Sequence, residues 1–394
     1  MSSLNSTISQ SACVNYTVSV IDSVTGEEVK RYPRKRNLIL DQGLNQIAVN
    51  SWVQCFAVAA LGTGTTPTNR RNASITFTRS GTTVTASAAF FVNSDVGTLL
   101  KFDTGAEMYI TAFTSDTVVT VGVSGALSAS QGTVWFVNQT ALITETKRSQ
   151  TYSNNGGANG STYVGGIYTH KRTFVFSAES GNITYREIGW SWTATVGANL
   201  FGRDLFPGAG ISLTASQQLQ VIVELAVTYS PVTPISYTNV ITGGFGGNGN
   251  QCLEWIITTS VNTNGTTGND SVNSARMDPY ANRQTCLSTT ASALRNGSLA
   301  SNDIGSQTQS TDVSLAKASY TAGSFRFVET GVLGIANGNR SDWRSIIIGN
   351  VNVNNGNLVS TYFRILLDAS ATKLSTHTLS LTFTMNWGRV LVNV

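Results

Sequence analysis

The sequence predicts an all-β protein: tandem antiparallel β-sandwich, jelly-roll-like domains with a small inserted β module and one short N-terminal helix. Three observations lead there. Long segments alternate with period two, as in QLQVIVELAVTY, where Leu219, Val221, Val223, Leu225 and Val227 share one face while Gln218, Gln220, Ile222, Glu224, Ala226 and Thr228 share the other. A half-buried strand of that length suits an antiparallel sheet with one face on a core. A doubly wound sheet needs recurring helices, and none recur in the second half. Third, the order of elements repeats. YTHKRTFVFSAESGNITYREIGWSW and NLFGRDLFPGAGISLTASQQLQVIVELAVTYS are echoed by YTAGSFRFVETGVLGIANGNRSDWRSIIIG and TYFRILLDASATKLSTHTLSLTFTMNWG.

In each copy an aromatic strand (Phe174 and Phe176, or Phe325 and Phe327) is followed by a loop and a strand carrying Trp190 or Trp343. A strand with Phe201 and Arg203, or Phe363 and Arg364, comes next, then a long alternating strand, Leu219 to Val227 or Leu379 to Met385. Trp190, Trp343, Phe174, Phe176, Leu219, Val221, Val223 and Leu225 are therefore expected in the structural core.

Taken along the chain, Tyr16, Val18 and Val20 alternate with polar residues, TGEE supplies a turn, and a short strand follows from Glu28 to Tyr32. In LILDQGLNQIAV, residues 38–49, Leu40, Leu44, Ile47 and Ala48 recur at helical spacing, predicting a helix extended towards Phe56 with its apolar stripe on a sheet. Residues 75–121 alternate between SG, DTG and SD turns with Val and Thr enriched, which fits a compact β module. Loop 150–166 is rich in Gly, Asn and Ser. Pro231 and Pro234 mark a junction, and a polar zone covers 242–274. The expected domains are 1–65 plus 141–232, a first sandwich; 66–140, the insert; and 233–394, a second sandwich resembling the first. The insert is expected to project, with its two ends close together.

Only 12% of the 394 residues are charged, against 41% hydrophobic, and 6 are proline, which excludes a highly charged disordered chain and a collagen-like stalk. With a net charge of only +4 on this length, no direct nucleic-acid contact is expected. The abundant neutral polar residues suit a protein packed in an assembly or working outside a cell. Cys13, Cys55, Cys252 and Cys286 form no metal-type pair and are expected to be free thiols. With His170 and His377 as the only histidines, a histidine-built metal centre is excluded. No export signal is expected in the opening MSSLNSTISQSACVNYTVSV, and no apolar run is long enough to span a membrane.

Glycosidase chemistry needs two nearby carboxylates, one with a raised pKa. Glu179, Glu187, Asp204 and Glu224 are the candidates, but Asp204 follows Arg203 and Glu187 follows Arg186, so structural salt bridges are expected instead. Neither histidine accompanies a G-x-S-x-G elbow, so no serine nucleophile is expected. GGANG and GGFGGNGN lack the Lys-Ser/Thr of a phosphate loop. DTG, NGTTGND and ASNDIG lack EF-hand spacing, and no calcium or other cofactor is expected. The run KRYPRKR places Lys30, Arg31, Arg34, Lys35 and Arg36 within seven residues, and is expected to form assembly contacts with an acidic neighbour.

NLILDQGLNQIA, LGTGTTP, YREIGWSW, LFGRDLF and ISLTASQQLQVIVELAVTYS, in that order, resemble virion structural proteins of tailed bacteriophages: tail-associated or fibre-like exterior components built on β-sandwiches. TFTRSGTTVTASAAFFVNSDVGTLLKF with YITAFTSDTVVTV resembles a small β module inserted in phage fibre and tail proteins. The resemblance covers residues 14–232. Residues 235–394 share it only through the internal echo and carry SDWRS in place of YREIGW. It implies a non-enzymatic tail or connector-associated virion protein, assembled in the bacterial cytoplasm as a homo-oligomer with cyclic symmetry and contacting other virion proteins. The alternatives are a capsid decoration protein, or an exterior receptor-binding protein that recognises host surface glycans through loops 150–166 and 242–275, with Tyr152 and Tyr163.

Overall fold

The computed structural model describes residues 2–155, 160–164, 167–229, 245–246, 252–255, 279, 284–288, 313–336, 340–350, 360–376 and 378–392. The Pro231–Pro234 junction, His377 and most of 242–275 lie outside the described residues, as do the side chains of Trp343, Tyr163, Cys252 and Cys286.

The architecture is all-β. β1 (Ser2–Asp22) and β2 (Glu28–Ile39) form the first hairpin, followed by helix α1 (Asp41–Gln46) and a 3-10 turn at Gln54–Phe56. β3 (Val58–Gly62) leads to eight short strands: β4 (Asn69–Arg71), β5 (Phe77–Ser80), β6 (Thr83–Ala86), β7 (Leu99–Phe102), β8 (Glu107–Ser115), β9 (Val118–Val121), β10 (Leu127–Ser130) and β11 (Gly132–Trp135). Then come β12 (Glu145–Ser149), β13 (Tyr152–Asn154), β14 (Ser161–Val164), β15 (Ile167–Val175), β16 (Ile183–Tyr185), β17 (Glu187–Ser191), β18 (Leu200–Leu205), β19 (Ile211–Leu213) and β20 (Gln217–Tyr229). Further on lie β21 (Phe245–Gly246), β22 (Cys252–Trp255), β23 (Gln284–Ser288), β24 (Val313–Ser314), β25 (Ala316–Lys317), β26 (Arg326–Leu333), β27 (Arg340–Asn350), β28 (Ser360–Lys373) and β29 (Leu379–Arg389).

The body runs in the order β12-β3-β17-β18-β2-β1-β20-β15-β13. β2 joins its two layers: up to Asn37 it pairs with β1, and at Leu38 and Ile39 with β18. Inner faces of both layers share one buried cluster, in which Trp190 of β17 packs against Tyr16 of β1 at 6.1 Å and Phe174 of β15 at 5.9 Å between ring centroids. Phe176, Leu219, Val221, Val223 and Leu225 belong to the same cluster. The alternation read in β20 corresponds to a strand whose odd-numbered residues from 219 to 227 are fully buried.

Two elements differ from the sequence-based expectation. The helix spans only Asp41–Gln46, because Leu38 and Ile39 are drawn into β2, where they pair with Arg203 and Gly202. Leu44, Ile47 and Ala48 still bury against the sheet, the last two from the turn that follows the helix. β2 runs past Tyr32 to Ile39, straight through Pro33. There Tyr16 faces Lys35 while Val18 faces Tyr32, so β2 carries one extra residue against Thr17; the bulge is where a missing N–H is tolerated.

β4 to β11 form a separate eight-stranded sheet, order β10-β5-β6-β9-β8-β7-β11-β4, around their own cluster of Phe77, Phe90, Phe91, Phe102 and neighbouring aliphatic side chains. The chain enters and leaves this unit side by side: Thr63 N donates to Thr144 O at 2.9 Å, and Gly62 pairs with Glu145. Rather than simply projecting, the unit is seated on the body. Its Leu99 and Trp135 bury with Leu38, Leu40, Leu200 and Leu391, and Tyr109 donates to Asp41 at 2.9 Å.

The second half repeats a pairing order. β15 pairs with β20 and encloses the hairpin β17–β18 in sequence; β26 likewise pairs with β29 and encloses the hairpin β27–β28. β1 bridges the halves. Gln10–Asp22 run antiparallel to β20, and Ser2–Ala12 run parallel to β29. Trp387 of β29 buries in the body core, where its indole N–H donates to Leu44 O at 2.8 Å.

Candidate functional site

The segments LGTGTTP, YREIGWSW and LFGRDLF meet at one buried ion pair. Thr63 to Pro67 follow β3, Glu187 opens β17, and Arg203 lies on β18. In the β17–β18 hairpin Glu187 faces Leu205 and Gly189 faces Arg203, so Glu187 and Arg203 are diagonal neighbours on one face. Both side chains are fully buried. Glu187 Oε2 accepts from Arg203 Nε at 2.9 Å, Arg203 Nη2 at 2.8 Å and Ile143 N at 3.1 Å. Its Oε1 accepts from Gly64 N at 3.1 Å and Thr144 N at 2.8 Å. Arg203 also donates to Gln139 Oε1 at 2.9 Å and Thr66 O at 2.8 Å.

A fully buried carboxylate is tolerated because every lone pair is met, largely by charge-assisted bonds. Gly64 is needed for this approach: a Cβ there would collide with Glu187 Oε1 and would lie 2.7 Å from Ile143 Cβ. The hub clamps the two segments through which the chain enters and leaves the eight-stranded unit.

Sequence adjacency suggested different partners, Arg203 for Asp204 and Arg186 for Glu187. Alternation along a strand sends neighbouring side chains to opposite faces, so those pairings do not form. Asp204 instead accepts from Tyr16 Oη at 2.8 Å and pairs with Lys35 at 2.8 Å. Burial pushes the Asp204 carboxyl above the usual aspartate range, with Lys35 and Tyr16 pulling it back; burial beside Asp204 pushes the Tyr16 phenol up as well. Glu179 holds Lys147 at 2.5 Å and Tyr185 Oη at 2.8 Å. Glu224 pairs with Arg34 and with Lys171, the latter at 2.8 Å. All four carboxylates weighed for catalysis thus have partners inside the chain.

The basic run lies on β2, whose outer edge from Glu28 to Arg36 has no strand partner among the described residues. Charged side chains and Pro33 on such an edge hinder unplanned strand addition. Arg31 reaches Glu28 at 3.6 Å, Arg34 pairs with Glu224, Lys35 pairs with Asp204, and Lys30 lies 4.7 Å from the Tyr32 ring centroid. Arg36 has no such partner among the described residues. Most of the run is therefore engaged within the chain, through carboxylates that sequence distance hid.

His170 Nδ1 lies 2.7 Å from Ser161 Oγ and its ring stacks edge-on to Phe56. Tyr152 packs on Phe174 at 5.5 Å under the Arg172 guanidinium at 4.2 Å. Cys13 and Cys55 are free thiols. Among the described residues no group of three or more His, Cys, Asp or Glu side chains is placed to hold a metal ion, and no helix is long and apolar enough to cross a membrane.

Comparison with family models, curated proteins and solved structures finds no match for the chain.

Proposed function

We propose that this chain is a non-enzymatic structural component of a tailed-bacteriophage virion. In this reading it is a tail or connector-associated protein that assembles as a cyclic homo-oligomer through tandem, jelly-roll-like β-sandwiches. The observation that carries the reading is the use of the ionisable groups. A general acid or base must offer an oxygen to a substrate, whereas Glu187 spends both of its oxygens on five donors, and Glu179, Asp204 and Glu224 are tied to lysine, arginine or tyrosine. Support also comes from the hub: LGTGTTP, YREIGW and LFGRDLF, three of the segments behind the resemblance, meet there and clamp the inserted unit to the β body.

The repeated pairing order of β15–β20 and β26–β29 favours an origin by duplication, and β1 ties the two copies into one building block. Closed rings of identical subunits are the simplest use of such a block. Light scattering on the purified chain tests this. A discrete species several times the 41.8 kDa chain mass is expected. A monomer at every concentration that also binds no particle protein overturns the reading.

A further inference from the structure

Where the basic strand turns into the body, a cleft of about 450 Å³ opens between β2, β18, β4 and β11. That volume is within the range of small-molecule sites, roughly 300–1,000 Å³. Lys35 and Asp204 line it and neutralise one another at 2.8 Å. Arg36, half-buried in the same wall, has neither an ion pair nor a hydrogen bond among the described residues, so the cleft carries one uncompensated positive charge.

Trp135, only 7% exposed, forms part of the opposite wall, and its buried indole N–H has no acceptor. Asn69, cross-strand to Trp135, adds an amide that both donates and accepts, and Pro67, Leu205 and Val392 add apolar surface.

We propose that this cleft binds an acidic sugar residue, a hydroxylated ring bearing a carboxylate. The carboxylate pairs with Arg36, the C–H face of the ring lies on the apolar lining from Pro67, Leu205 and Val392, and ring hydroxyls exchange hydrogen bonds with Asn69 and the Lys35–Asp204 pair. A bare anion uses Arg36 alone. A neutral sugar leaves Arg36 unpaired, and an apolar carboxylate leaves the Asn69 amide unmet. The assignment goes beyond the assembly reading and does not depend on it.

Calorimetric titration of the full chain with glucuronate, glucose and acetate tests it, using wild type, Arg36→Met and Asn69→Ala. Glucuronate is expected to bind in the millimolar range, with glucose and acetate each at least about tenfold weaker, and Arg36→Met should lower glucuronate affinity about tenfold or more. Asn69→Ala should weaken glucuronate while leaving acetate unchanged. Arg36 is half-buried in the cleft wall, and an unchanged circular dichroism spectrum and melting curve show that its variant folds. Glucuronate binding no tighter than acetate, which marks a bare anion site, overturns the proposal. So does binding no tighter than glucose, binding indifferent to Arg36→Met, or no binding at all.

Discussion

Arg203→Met isolates the role of the buried hub. Methionine keeps the length and burial of the side chain but removes the guanidinium, leaving the Glu187 carboxylate with the amides of Gly64, Ile143 and Thr144 and no cation. Breaking a buried pair from one side costs about 3–5 kcal/mol. Glu187→Met with Arg203→Met removes both charges, yet strands three backbone N–H groups at about 1–3 kcal/mol each, so the double variant stays destabilised by roughly 3 kcal/mol or more before any apolar gain. A simple buried ion pair lacking those amides would tolerate the apolar replacement. Amide hydrogen exchange reads the effect locally, which suits a chain too large for one two-state unfolding step. A loss of 3 kcal/mol speeds exchange at Gly64, Ile143 and Thr144 by about 100-fold. Exchange at these amides within about twofold of wild type in Arg203→Met, or full recovery of protection in the double variant, would refute the reasoning.

Trp190→Ala should destabilise the body by about 3–5 kcal/mol through lost transfer energy and a cavity beside Tyr16 and Phe174; Trp190→Phe should cost clearly less, since the indole N–H has no acceptor to lose. Thermal melts of the two variants decide this. Tyr16, Tyr109 and Tyr185 all have phenol pKa values raised by burial and, secondarily, by Asp204, Asp41 and Glu179. The unfolded chain therefore releases these protons first, and stability present below the ordinary tyrosine pKa of 10.0 should fall as pH rises above it; Tyr185→Phe should flatten that fall in alkaline melts. Deleting residues 2–9 removes most of the parallel partner of β29 and bares its edge, so the truncated chain should scatter more light on concentration while the β20 pairing survives. Equal solubility of the two chains would contradict that.

What the sequence disclosed follows from where each contact is written. The buried face of β20 is legible because alternation reports directly on burial: Leu219, Val221, Val223, Leu225 and Val227 need no knowledge of their partners. The N-terminal half of β1, SSLNSTISQS, shows no such pattern. Its partner β29 lies more than 370 residues away and is held by backbone hydrogen bonds, which leave no side-chain trace. Helical spacing overran at Leu38 and Ile39 because a strand end and a helix start can share an apolar rhythm. The ion pairs were misread for a related reason. Proximity in sequence suggested Arg203 with Asp204, while strand geometry joins Arg203 to Glu187 and Asp204 to Lys35. The cleft draws Arg36, Asn69, Trp135 and Asp204 from four separated segments, and only the fold brings them to one place.

Cryo-electron microscopy of the intact particle, with the chain located by fitting its body and its eight-stranded unit, tests the central proposal most directly. The account predicts repeated copies around a tail or connector axis, in contact through their β-sheet faces and edges. Purified particles that lack the chain, or that carry it only as an isolated copy without symmetric neighbours, would contradict it.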